Sequence, residues 1–227
     1  MNRFFILFFL FFGLTTTNAQ IYEVGAFLGG SNYIGDIGPT DYISPNEFAY
    51  GVLFKWNKSP RHSWRFSYTQ TKLTSRDIDS DMSSRIERGY DFENQIKEFS
   101  AGLEFNFFDF NLHDPKFKYT PYVYLGLSYA RYDGLFFLAD EVKIDKTRGM
   151  LAIPLTVGIK AQIMDRFVLG FEVGPRTAFT DDIDGSNSNN DNLEPLKFGN
   201  TNSNDWYVFT GFTLTYTFGN KPCYCKE

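Results

Sequence analysis

Apolar and polar residues alternate with period two along most of this chain, the pattern of β-strands with one oily and one polar face. It is plainest from Asp205 to Phe218. There Trp206, Val208, Phe212, Leu214, Tyr216 and Phe218 share a face with Thr210, and Gly211, Thr213, Thr215 and Thr217 share the other. The segment exceeds an ordinary soluble strand and suits a tilted bilayer-crossing strand, which needs about 9–11 residues. Seven earlier segments alternate likewise: Ile21–Gly29, Glu47–Trp56, Ser63–Thr71, Glu98–Phe108, Lys118–Ala130, Met150–Ala161 and Arg166–Gly174. Pro154 is awkward in the sixth, because a central strand loses a ladder hydrogen bond to proline; a bulge or an edge-like break would accommodate it.

The connections favour a barrel over a sandwich. After the second, fourth and sixth segments they are short (57–62, 109–117, 162–165); after the first, third, fifth and seventh they are long (30–46, 72–97, 131–149, 175–204). Strict alternation of this kind belongs to up-and-down membrane barrels, whereas a Greek-key sandwich has no reason for it. The expected fold is therefore all-β: an eight-stranded antiparallel up-and-down transmembrane β-barrel with short periplasmic turns and long extracellular loops. Both termini then lie in the periplasm of an outer-membrane protein. On that layout the periplasmic ends of the oily faces carry Tyr22, Trp56, Trp64, Phe107, Tyr119, Phe167 and Phe218. The outer ends carry Phe48, Tyr68, Phe99, Tyr129 and Trp206, so two aromatic girdles bound an aliphatic band.

The N-terminus agrees with export. Met1-Asn2-Arg3 precedes an apolar run, Phe4 to Leu14, and then Thr15 to Ala19. One positive charge, a short apolar run and a small residue describe a secretory signal peptide. The expected organisation is a signal peptide over 1–19, the barrel over 20–218 and a periplasmic tail over 219–227. A formal charge of −5, falling further when Arg3 is removed, argues against a nucleic-acid partner.

The inward faces of the expected strands gather Glu23, Glu98, Glu104 and Glu172 with Lys55, Arg65, Lys160 and Arg176. In so narrow a barrel these read as interior ion pairs filling the lumen, ahead of a permeation path or paired acid–base catalysts. The stretch Thr180 to Asp191 has a superficial calcium-loop look, but aligning Gly185 with the invariant glycine puts Thr180 first and Asp191 last, so both anchoring ligands are wrong. It reads as a solvated acidic outer loop. His62 and His113 fall in short turns without triad or metal-ligand spacing. No catalytic residue, metal or cofactor is expected.

Cys223-Tyr224-Cys225, after Pro222, differs from these. Free thiols seldom persist in an oxidising periplasm, and a bridge between two cysteines so close would be strained. An intermolecular disulfide to a periplasmic partner is one reading; an intramolecular or redox-variable pair is the other.

Three stretches resemble the PorG family, outer-membrane barrels of the type IX secretion system of Bacteroidetes: Ser59 to Thr69, Ala101 to Phe108, and Asn204 to Cys225. The resemblance implies a non-enzymatic barrel that ties the periplasmic ring, made of a PorK-like lipoprotein and its PorN-like partner, to the outer membrane. It thereby implies a role in protein secretion and, in gliding relatives, motility. It also implies that the tail with Cys223 and Cys225 touches the ring lipoprotein. The competing expectations are a stand-alone barrel acting through its outer loops and an outer-membrane enzyme.

Overall fold

The computed structural model describes residues 21–219 apart from 115, 140 and 201. The expected signal peptide and the residues Pro222, Cys223, Tyr224 and Cys225 lie outside the described residues. Eight strands close on themselves in sequence order: β1 Ile21–Ile34, β2 Glu47–Asn57, β3 His62–Arg76, β4 Asp91–Asn106, β5 Lys118–Leu138, β6 Glu141–Met164, β7 Phe167–Ala178 and β8 Trp206–Phe218. Every neighbouring pair is antiparallel. The closing pair, β1 with β8, runs from Tyr22 opposite Phe218 to Ile34 opposite Trp206. Closure leaves the sheet without a free edge along that seam.

Residue polarity is inverted around the middle of the barrel. Leu103, Leu125, Leu127, Leu155, Val157 and Ile159 face outward and are exposed, while Glu104, Thr156 and Lys160 on the opposite faces are buried. The aromatics at the turn end of the belt touch in a chain: Tyr22 lies 5.7 Å from Phe54 and 5.8 Å from Phe218, and Phe108 packs edge-on to Tyr119 at 6.1 Å.

Several strands run well past the segments seen in the sequence, mainly toward the long-loop end, while β6 also takes in 162–164 of the short turn expected over 162–165. β3 continues to Arg76, β4 begins at Asp91, and β5 and β6 form a hairpin reaching Leu138 and Glu141. The long loop expected over 131–149 is thus a strand ribbon, with Ala139 after β5 at φ 52°. The cause is a change of phase. In β4 the apolar residues of the belt are Phe99, Ala101, Leu103 and Phe105, facing out, but those beyond it are Phe92 and Ile96, facing in, with Asp91, Glu93, Gln95 and Lys97 exposed. Backbone and direction continue; only the solvent outside the barrel has changed, so the apolar set moves to the other parity. Pro154 takes the break rather than the bulge. Ladder pairing with β5 lapses between Leu155 and Ala152, and pairing with β7 lapses between Pro154 and Val157 beside Pro175, with no change of register.

Beyond the belt the inward residues form a core of soluble type: Tyr33, Ile37, Leu73, Phe92, Ile96 and their neighbours. The connection between β7 and β8 folds down onto it. This corrects the expectation of a solvated acidic loop, because Asp182, Ile183, Asp184 and Ser186 are all buried. Ile183, at 0% exposure, joins the apolar core and draws the polar residues around it inward. Tyr132 and Arg148 donate to Asp182, and the backbone N–H of Ser186 donates to Asp184. The β1–β2 and β3–β4 connections are clasped together. Buried Asp77 accepts from Gly38 N at 2.9 Å and from Arg88 Nε at 2.7 Å, and Arg85 of the short helix α1 (Ser83–Arg88) donates to the carbonyls of Gly35 and Gly38.

Ile183→Ala is expected to unseat the loop, since truncating a buried aliphatic side chain costs about 2–5 kcal/mol. Trypsin should then cut after Lys197 at least roughly tenfold faster than in the parent chain, while heat-modifiable gel mobility shows the barrel still folded.

Candidate functional site

The belt's interior gathers eight buried charged side chains. Inward positions on six strands deliver them, because period-two alternation sends every second residue of each strand into the lumen. Lys55 and Arg65 sit directly opposite each other in the β2–β3 ladder, a repulsive pairing unless acids intervene. Glu104 and Glu172 intervene. Glu104 takes Lys160 at 2.6 Å and Lys55 at 2.8 Å. Glu172 takes both terminal nitrogens of Arg65 at 2.7 Å in a bidentate fork. Tyr122 adds its hydroxyl to Glu172, with its ring within 5.3 Å of the Lys55 ammonium.

A second group lies toward the loop end. Arg176 Nε reaches Glu98 at 3.4 Å and stacks its guanidinium 4.1 Å over Phe209, while Tyr207 donates to Glu98 at 2.6 Å. Glu23 departs from the expected ion pairing. It faces Lys55 in the β1–β2 ladder, but Lys55 reaches across to Glu104 instead. Its carboxylate accepts from Asn57 at 2.9 Å and from Thr215 at 2.5 Å. All eight charged residues are at most 5% exposed. The sequence reading missed Tyr122, Tyr124 and Tyr207, each buried against these charges. The signal was available: three tyrosines on the polar parity of strands otherwise lined by Gly, Ser and Thr.

The lumen is stoppered at both ends. At the turn end the β4–β5 connection folds inward, burying Phe110 and Leu112 with Ile21 and Val168. His113 of that connection lines a cleft of about 340 Å³ with Asp165, Arg166 and Phe218, and His62 opens β3 on the surface. Among the interface aromatics, Trp64, Phe107, Tyr119, Trp206 and Phe218 are exposed, and Tyr22 and Trp56 are half-covered by neighbours. Among the described residues no group of three or more His, Cys, Asp or Glu is placed to hold a metal.

At the loop end four carboxylates lie close enough to repel one another: Asp36, Asp181, Asp184 and Asp205. Tyr33 donates to Asp205, which also accepts from the backbone of Ile183 at 2.9 Å. Burial pushes Asp184 and Asp205 above the usual carboxylate range. Burial also pushes Asp181 up to about 6, against the hydrogen bond that Asn187 donates and helped by repulsion from Asp36 and Asp184.

Two outcomes follow. Glu104→Gln leaves Lys55, Lys160 and Arg65 short of their acid, and breaking a buried pair costs about 3–5 kcal/mol. Urea unfolding in detergent should show Glu104→Gln far more destabilised than Glu23→Gln, whose partners are neutral. For Asp181 the folded form binds the proton more tightly than the free carboxyl at 3.8. Its stabilising contribution is therefore full below about pH 4 and lost as pH rises through about 6. Hydrogen-exchange protection of amides in 180–205, corrected for intrinsic rates, should fall across that window in the parent and fall less in Asp181→Asn.

Among solved structures the chain is similar to Ail, the attachment invasion locus protein of Yersinia pestis, at 11% identity and TM-score 0.49, over 88% of this chain and 99% of that one. It is also similar to Neisserial surface protein A, at 11% identity and TM-score 0.48, over 88% of this chain and 97% of the other. A major outer membrane protein from Thermus thermophilus is similar at 15% identity and TM-score 0.47, over 88% and 100% of the two chains. No curated protein matches the sequence. A family model described as a domain of unknown function (DUF6089) matches residues 2–227, and the chain belongs to that family.

Proposed function

We propose that this protein is an integral outer-membrane barrel that serves as a fixed, non-enzymatic anchor for a periplasmic assembly. The observation that carries the membrane reading is the inverted belt: exposed Leu, Val and Ile around buried ions, bounded by aromatics. A water-soluble barrel would leave that surface with nothing to cover it. An anchor needs no aqueous path, and a lumen filled by Glu104, Glu172 and their cations and stoppered at both ends suits one. The end with the short turns, where Ile21 and Phe218 pair closely with their neighbours, faces the periplasm in this reading, so residues 219–227 emerge there.

The assembly is the type IX secretion ring that the resemblance names, with a PorK-like lipoprotein and a PorN-like subunit as partners. Cys223 and Cys225 are the contact, directly or through a disulfide. A pull-down from membranes under non-reducing conditions should retrieve the ring subunits with the full chain and lose them when 220–227 are removed. Retrieval by the truncated barrel sinks the anchoring role. The second reading, a barrel acting through its outer loops, draws support from the clasp at Asp77 and the seated loop around Ile183, which give that end a defined surface.

The membrane reading has its own check. Leu155→Arg, at mid-belt on the outward face, should cost about 2–4 kcal/mol in vesicles by urea unfolding, and far less in a lumen-neutral exchange such as Thr156→Ser.

A further inference from the structure

The outward surface just beyond the belt carries one unusual pairing. Lys97 of β4 and Arg131 of β5 stand directly opposite each other, and the β4–β5 ladder ends with them. Like charges so placed destabilise a ladder. Both side chains are exposed, and among the described residues neither makes an ion pair or a side-chain hydrogen bond. Cations around them are engaged: Lys72 with Glu93 at 2.5 Å, Arg76 with Asp79 at 2.9 Å, and Arg148 with Asp145 and Asp182.

Beyond this pair the two strands part. Asn94 spans the gap, donating to the carbonyl of Asp133 at 2.7 Å and accepting from its N–H at 3.0 Å. What remains between the pair and this bridge is a cleft of about 350 Å³ lined by Gln95, Lys97, Arg131, Tyr132, Asp133 and Thr147. The one acid there, Asp133, accepts from Thr147 at 2.8 Å. A cleft of about 410 Å³ further round the same rim has the opposite character, with Glu47, Asp79, Asp91 and Glu93 in its lining. The cationic cleft is thus a local exception on a chain of net charge −5.

Its height on the barrel decides the ligand. The residues two below the pair are Phe99 and Tyr129, opposite each other and exposed, the last of the belt on these strands. Tyr129 carries its hydroxyl over Gly149, the β6 residue that faces Arg131, so its polar tip points toward the cleft. An amphipathic ring placed this way marks the depth of lipid headgroups. We propose that Lys97 and Arg131 bind the phosphate of a phosphorylated outer-leaflet lipid, whose acyl chains lie on the belt below Phe99 and Tyr129. A phosphate between the two cations turns their repulsion into a bridge, with Arg131 able to present two N–H donors and Lys97 a point charge. Gln95 supplies a neutral donor at the cleft wall. The assignment rests on the membrane reading above.

The test uses the full chain refolded into phosphatidylcholine nanodiscs doped with diphosphoryl lipid A or with its dephosphorylated form, and native mass spectrometry of the released protein. The expected result is selective retention of diphosphoryl lipid A, whose phosphate monoesters carry more negative charge than the zwitterionic phosphodiester of the bulk phosphatidylcholine. In Lys97→Gln/Arg131→Gln that retention should weaken by roughly tenfold or more. Lys143→Gln/Lys146→Gln, with the same loss of charge on the β5–β6 hairpin, should retain lipid as the parent does. Equal retention of the dephosphorylated lipid, or equal loss in both double variants, overturns the proposal. Displacement of the lipid by an equal concentration of inorganic phosphate overturns the assignment to a lipid. Failure of the parent chain to enter nanodiscs sinks the membrane reading and this proposal with it. Insertion without selective retention sinks this proposal alone.

Discussion

The structure depends on the hydrogen-bonded seam between its first and last strands. With β1 paired to β8, each strand of the belt has a backbone partner on both sides, so an apolar surface can surround a sheet without exposing N–H and C=O groups. All else adjusts to that ring. Eight strands enclose a space only wide enough for side chains, and period-two alternation sends the polar half of each strand into it. The lumen must then satisfy many polar groups out of contact with bulk water. Glu104 and Glu172 do so by each serving more than one donor, while the hydrogen bonds to Glu23 come from an amide and a hydroxyl.

The barrel is built for two surroundings in series. Around the belt its ions are inside and its aliphatics outside; past Lys97 and Arg131 the arrangement reverses, and Phe92, Ile96 and Leu73 form an ordinary apolar centre. The same strands serve both parts, which is why the reversal costs no turn or break. The two interiors resist opening for different reasons. The lower is held by charge pairing and the upper by apolar burial, with the 179–205 connection as its cover and carboxylates of raised affinity for protons beneath it.

This reversal also explains how much was legible in the sequence. The eight strands and the inward placement of Lys55, Arg65, Glu104 and Glu172 follow from residue alternation, because both depend only on parity, and the strand order follows from the short and long connections between them. Strand ends beyond the belt do not, since a search for a continuing oily face stops where Phe99 gives way to Ile96 on the other parity. The hairpin over 131–149 was obscured further by a register shift between Gly134 and Leu135, which breaks the period itself. Counting acids against bases could not show that Lys55 makes its salt bridge to Glu104 rather than Glu23, because that choice is set by reach across the lumen. The burial of Asp182 and Asp184 was hidden because the one apolar residue among them, Ile183, has no periodic neighbours to announce it.

The seam at Tyr22 and Phe218 has a further consequence, in the order of synthesis. β1 is made first and must wait for β8, the last of the eight strands, so a product ending before Trp206 leaves the sheet open. Sealing the ring is therefore a checkpoint that only a chain already carrying Trp206–Phe218 can pass.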